Sequence, residues 1–218
     1  MPRELKSGRV GPKTAQSAIV FLHGYGADGA DLLSLSGPLA PHFPQTVFYS
    51  PDAPEPCVNN PMGRQWFPIP WLDGSTEAQA RQSAAASFAD VNAFLDKVLA
   101  DERLTPDRLA VVGFSQGTMM ALHVAPRRDT PVAGVVGFSG RLLDPEASAD
   151  EVVSRPPILL CHGDQDQMVP FADMANAERA LKAAGFDVRT FVMKGTGHGI
   201  SPEGLGAAVA FLTQVLPD

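Results

Sequence analysis

Short apolar runs and longer amphipathic stretches alternate along the chain. The runs lie at Ala18–Leu22, Val47–Ser50, Arg108–Gly113, Val132–Phe138, Pro157–Cys161 and Val188–Met193. Their apolar character is continuous rather than alternating, the pattern of strands buried on both faces. It predicts a parallel sheet covered by helices. Of the helical stretches Glu77–Leu104 is the clearest, with Ala84, Phe88, Val91, Phe94, Leu95, Val98 and Leu99 at three- and four-residue steps. Others are expected over Gln116–Val124, over Phe171–Ala184 with Gly185 as its C-cap, and over Pro202–Leu216. The last has Ser201 placed as N-cap and Pro202 at the first helical position. Strands alternating with helices, without a linker, predict one α/β domain over residues 1–218, its mostly parallel central sheet carrying helices on both faces.

Two features interrupt the pattern. Residues 51–74 form a Pro-rich insertion holding Met62, Trp66, Phe67 and Trp71. An irregular stretch of this length is usually functional, so a lid or pocket wall is expected; the plainer alternative is a surface loop pinned to the core by its aromatics. The second feature is an echo: VVGFSQG at Val111–Gly117 and VVGFSGR at Val135–Arg141. It is too short for a repeat fold and predicts two neighbouring strands ending in similar sharp turns at one sheet edge.

Charge and composition narrow the function. The 218 residues carry a net charge of −7 without a basic run, so there is no electrostatic reason to bind nucleic acid or an anionic membrane surface. No window approaches the ~18 apolar residues of a spanning helix, and stable membrane insertion is not expected. The N-terminal stretch lacks the apolar core of a signal peptide, and Cys57 and Cys161 make no disulfide framework; a cytoplasmic protein with reduced thiols is expected.

The chemistry concentrates at Gly113-Phe114-Ser115-Gln116-Gly117, a G-x-S-x-G pattern between an apolar strand and a helical segment. In such an elbow the serine sits on a tight, strained turn, and glycine two positions to either side avoids a collision. Ser139, in the echo, lacks the second glycine, Arg141 standing there, and is expected to line the cleft or satisfy a turn. A serine needs a base, and in elbow architectures the acid and then the histidine come after it in the chain. His198, in the glycine-flanked loop Lys194–Gly199, fits; His162, ending a strand, reads as a turn-fixing residue. Asp164 and Asp166 both qualify chemically as the acid. One oxyanion donor would be the Gln116 amide, and a second should come from the early loop His23–Asp28. That loop lacks the Lys-Ser/Thr pair of a P-loop and the third spaced glycine of a dinucleotide site.

FLHGYGAD, GFSQG, HGDQDQMVP and GTGH, in this order and with GRQWF at Gly63–Phe67, resemble the phospholipase/carboxylesterase family of α/β-hydrolases, which includes the acyl-protein thioesterases. The resemblance runs from about Ala18 to Leu216. It implies the α/β-hydrolase fold, Asp166 rather than Asp164 as the acid, the Tyr25 and Gln116 amides as oxyanion donors, and a homodimer as a plausible assembly. Tyr25 stands where relatives usually carry leucine and is expected to narrow the pocket; Thr118 stands where a further glycine is common.

The expected activity is hydrolysis of small or medium carboxylic esters through an acyl-enzyme, without metal or cofactor. Met62, Trp66, Phe67, Trp71, Leu142, Leu143 and Val169 are the expected pocket residues. Thioesterase or lysophospholipase work on long acyl chains is the first alternative. A non-catalytic binding module with this fold is the second, and it is disfavoured because all three triad residues are present. Dienelactone-type hydrolases share the architecture but use cysteine where Ser115 stands.

Overall fold

The structure, a computed structural model, describes residues 1–143 and 151–216. The domain expected over 1–218 also includes 144–150 and 217–218, which lie outside the described residues. In chain order the elements are β1 (Ser7–Val10), β2 (Ser17–Leu22), α1 (Gly29–Leu33), α2 (Ser36–Leu39), β3 (Thr46–Pro51), β4 (Glu55–Pro56), β5 (Arg64–Gln65), α3 (Pro70–Asp73) and α4 (Glu77–Glu102). They continue with β6 (Leu109–Phe114), α5 (Gln116–Val124), β7 (Gly134–Phe138), β8 (Ile158–Gly163), α6 (Ala172–Ala183), β9 (Val188–Met193) and α7 (Pro202–Val215).

Seven strands form one sheet in the order β1-β3-β2-β6-β7-β8-β9. β1 is antiparallel to β3, and every other pairing is parallel. All six expected strands are present. The unforeseen β1 has no apolar signature because it is an edge strand exposed at all four positions. Short helices α1 to α3 and the β4–β5 ribbon within the insertion were also not expected.

Side-chain alternation along the buried strands divides the core into two layers. Val20, Leu22, Val111 and Val135 face α4, α5 and α6, packing with Phe94, Met120 and Leu181. Ile19, Phe21, Val112 and Phe138 face the other way, onto α1, α2 and α7. The parallel sheet with helices on both faces is the α/β-hydrolase arrangement.

Local chemistry fixes α4, the longest helix. Thr76 and Gln79 form a capping box: the Gln79 amide donates to Thr76 Oγ1 at 3.2 Å and the Thr76 amide to Gln79 Oε1 at 2.8 Å. Buried Asp90 in its middle accepts the Arg3 amide at 2.6 Å and Arg3 Nε at 2.8 Å. One turn earlier, Ser87 Oγ donates to the Trp66 carbonyl at 2.5 Å, tying the insertion to the helix.

The chain passes from β2 outward to β3, then crosses back to lay β6 on the opposite side of β2. The carboxyl ends of β2 and β6 therefore flank the point where strand order reverses, the usual place for a ligand crevice in such sheets.

Candidate active site

Ser115 caps α5 with φ 53° and ψ −114°, a strained backbone for a residue with a side chain. The flanking glycines show why the turn closes. A Cβ on Gly113 would lie 2.5 Å from the Gly117 carbonyl, and one on Gly117 would strike the carbonyl of Leu22 on β2. The second glycine therefore lets α5 start hard against the neighbouring strand. Thr118 adds a tie of its own: its hydroxyl lies 2.9 Å from the Gly113 carbonyl and 2.8 Å from that of Phe138, joining the ends of β6 and β7.

Asp166 lies just past β8, and His198 sits in the loop between β9 and α7. His198 Nδ1 donates to Asp166 Oδ2 at 2.8 Å. The other oxygen, Asp166 Oδ1, accepts the amides of Met168 and Val169, both at 2.9 Å. Burial alone would raise this carboxyl's pKa, but the bonds from His198, Val169 and Met168 outweigh it and hold it below the usual carboxylate value. Asp164 does different work: its Oδ1 accepts the Gly195 amide at 2.7 Å and so anchors the His198 loop. At Gly163 a Cβ would collide with the carbonyls of Thr196 and Gly197, so only glycine lets that loop cross the end of β8.

His162 reaches further than a turn-fixing role. It is fully buried, with Nε2 3.0 Å from the Val169 carbonyl and 3.3 Å from Asp166 Oδ2. A carbonyl only accepts, so Nε2 carries the proton and the carboxylate oxygen shares it. The signal for this was present in the sequence, since His162 and Asp166 are four residues apart across the end of a buried strand.

Ser115 and His198 open onto one cleft of about 830 Å³, with no hydrogen bond joining them. Apo geometry is often this loose before substrate tightens it. With Nδ1 engaged by Asp166, Nε2 is the ring nitrogen left for a hydroxyl in the cleft. The Tyr25 and Gln116 amides donate to no protein acceptor among the described residues. His23 holds the Tyr25 loop: its Nδ1 donates to the Gly24 carbonyl at 2.8 Å and its Nε2 accepts the Ala53 amide at 2.9 Å. Burial keeps that imidazole neutral by pushing its pKa down.

The expected pocket needs correction. Phe67, Trp71, Leu143 and Val169 line the cleft, as does Tyr25, but Met62, Trp66 and Leu142 do not. Met62 sits in the turn between β4 and β5, 88% exposed. Trp66 is wholly buried, its indole N–H donating to the His23 carbonyl at 2.9 Å. Its amide also donates to Gln116 Oε1 at 2.9 Å, and Gln116 Nε2 donates to the Phe67 carbonyl at 2.8 Å. Leu142 turns inward to a separate small cavity beside Leu122 and Phe186. Within the insertion Trp66 is packed inside, while residues 67–72 line the cleft. Ala80, Ala84 and Phe88 of α4, with Met119 and His123 of α5, also line the cleft and were missed as pocket residues, as were the charged Glu77, Arg81, Arg127, Arg141 and Glu151. Among the described residues no group of three His, Cys, Asp or Glu side chains is placed to hold a metal, and no helix is long and apolar enough to cross a membrane.

A serine elbow, a histidine–carboxylate pair and two free amides at the switch point of a parallel sheet define the α/β-hydrolase class of hydrolases. The family described as Phospholipase/Carboxylesterase matches residues 9–216, and the chain belongs to it as a carboxylesterase-type hydrolase. Esterase YpfH of Escherichia coli K12 is 30% identical over 209 residues, covering 94% of this chain and 85% of its own. Acyl-protein thioesterase 1 of Gibberella zeae is 27% identical, covering 98% and 99%. Among solved structures, esterase PE8 superposes with a TM-score of 0.92 at 38% identity, covering 98% of this chain and all of its own. Zea mays acyl-protein thioesterase 2 gives 0.77 at 28%, covering 97% and 99%.

Proposed function

We propose that this single-domain chain hydrolyses carboxylic esters of small or medium acyl groups through an acyl-enzyme on Ser115. His198 Nε2 takes the Ser115 proton as Oγ attacks the ester carbonyl, and the tetrahedral oxyanion sits between the Tyr25 and Gln116 amides. Asp166 keeps Nδ1–H of His198 in place and stabilises the imidazolium that forms. The imidazolium then protonates the leaving alcohol, and a water molecule repeats the sequence on the acyl-enzyme, returning the acid and free Ser115. The observation that carries the reading is the 2.8 Å bond from His198 Nδ1 to Asp166, opening on the same apolar cleft as the strained Ser115. The thioesterases among the relatives favour a second reading in which the leaving group is a thiol; the same steps serve it.

The test is kcat/KM over p-nitrophenyl esters from acetate to palmitate, with Ser115→Ala as blank. Wild type should turn over the shorter members, and Ser115→Ala should lose more than ~10⁴-fold. A Ser115→Ala protein with near wild-type turnover would overturn the assignment.

A further inference from the structure

Two cavities share one wall. Phe88, His123 and Arg127 line both the cleft that holds Ser115 and a neighbouring pocket of about 410 Å³ that includes Asn92, Asp96, Leu99, Pro106 and Val124. Phe88 comes from α4 and His123 from the last turn of α5. Their rings stack 3.5 Å apart at 10°, closing the cleft at that end. Arg127 braces the pair from behind, its Nη1 donating to the His123 carbonyl at 2.8 Å and its Nε to Glu151 at 2.8 Å. Burial first, and the Arg127 charge second, push the His123 pKa down to about 4, so the ring facing the cleft is uncharged at neutral pH.

The spacing of this wall from the reacting serine comes from helix geometry. Ser115, Met119 and His123 descend one face of α5, while Ala80, Ala84 and Phe88 form the facing row on α4. Each row spans eight residue steps, which is ~12 Å at 1.5 Å per residue. Across from the small side chains of Ala80 and Ala84 the α5 row carries Met119 midway, and the row ends at the stacked rings of Phe88 and His123. An extended chain of ~1.5 Å bonds at ~111° advances ~1.25 Å per carbon, so this length takes an acyl chain of roughly eight to ten carbons.

We propose that the Phe88–His123 stack is the specificity-determining end wall of the acyl cleft, admitting medium chains and excluding longer ones from the second pocket. This deepens the esterase reading and rests on it. Beyond the wall the lining is mixed, with Leu99, Pro106 and Val124 forming an apolar strip beside Asn92, Asp96, Arg128, Asp129 and Thr130, and a longer tail could lie on that strip once the Phe88 ring is gone.

The p-nitrophenyl series tests both levels separately. Wild type should peak near the octanoate or decanoate ester. In Phe88→Ala the ratio of kcat/KM for palmitate to that for octanoate should rise at least tenfold. Ala84→Leu fills the row midway and should lower the octanoate-to-acetate ratio at least tenfold, which keeps the test open if Phe88→Ala does not fold. An active wild type with both ratios within twofold of its own in the variants overturns the end wall while leaving the esterase reading intact. A wild type inactive on every ester overturns the esterase reading itself.

Discussion

Asp166→Asn is the substitution whose effect the hydrogen bonds specify most fully. The Met168 and Val169 amides both donate to Oδ1, so the asparagine must keep its carbonyl oxygen there to satisfy them. Its NH₂ then occupies the place of Oδ2, 2.8 Å from His198 Nδ1. Two donors cannot face each other, and the imidazole answers by moving its proton from Nδ1 to Nε2. In that tautomer Nε2 cannot accept the Ser115 proton. The imidazolium also loses the buried carboxylate that stabilises it. For this exchange in another triad hydrolase the cost is ~10⁴ in kcat, which is ~5.4 kcal/mol of barrier, and we expect a loss of the same order here. The assay is kcat on the preferred p-nitrophenyl ester, paired with ¹⁵N NMR of the imidazole. The variant should show His198 protonated at Nε2, where wild type shows it at Nδ1. A variant within tenfold of wild type, or one that keeps the Nδ1–H tautomer, would refute the reasoning.

Two further predictions concern groups around the site and at the sheet edge. His162→Leu removes one of the two donors at Asp166 Oδ2, leaving only His198 Nδ1, and should cost kcat ~10–100-fold. The less neutralised carboxylate should also move the acidic limb of the pH–rate profile to higher pH; His162→Gln, which can still donate, should restore most of the rate, and a limb that stays put would leave His162 with a purely structural role. Glu102 is held below its ordinary pKa chiefly by the Arg9 hydrogen bond at 2.8 Å, against burial and with help from the Tyr49 hydroxyl at 2.6 Å. A depressed folded pKa adds stability above the unfolded value near 4.5 and loses it as pH falls through the folded one. Unfolding free energies from urea titrations between pH 7 and 3 should therefore fall by ~1–2 kcal/mol less in Glu102→Gln than in wild type, the partner's partial exposure discounted. Parallel curves would exclude the linkage.

The sheet and the sharp serine turn were legible in the sequence because each rests on a short-range pattern. Continuous apolar runs mark strands buried on both faces, and the G-x-S-x-G spacing required the turn that Gly113 and Gly117 make. The choice of Asp166 over Asp164 was not legible from chemistry alone. It depends on which carboxylate the His198 loop approaches, and that loop is itself held by Asp164. The pocket was the least legible part. An aromatic in an insertion can face a ligand or serve as an anchor, and Trp66 was drawn inward because its indole N–H finds the His23 carbonyl. Ala80, Ala84 and Phe88 fall on the apolar face of α4, where periodicity cannot distinguish packing against a core from the wall of a cleft. Phe88 is only partly buried against the core cluster that holds Phe94 and Leu95, a difference that depends on where α5 crosses.

The echoed sequences separate the turn from the site. Ser115 and Ser139 both sit at positive φ, 53° and 47°, at the ends of adjacent strands. Each donates its amide to a neighbouring strand end at 2.8 Å, Ser115 to the Phe138 carbonyl and Ser139 to that of Cys161. The sharp turn is thus a property of the shared V-V-G-F-S segment and its place in a parallel sheet. The residues after each serine decide the rest. Gly117 lets a helix begin against β2, which leaves the Gln116 amide free above the sheet and Ser115 on the cleft. After Ser139, Gly140 packs on Thr118, where a Cβ would collide with that side chain, and Arg141 then turns outward to the rim of the cleft. No helix starts among the described residues 140–143, and Ser139 is wholly buried with its hydroxyl directed at the Gly199 carbonyl, 3.4 Å away. Backbone strain at a serine therefore does not by itself bring its hydroxyl to the cleft. The second glycine, by admitting the helix, leaves the Ser115 hydroxyl lining the cleft beside a free amide.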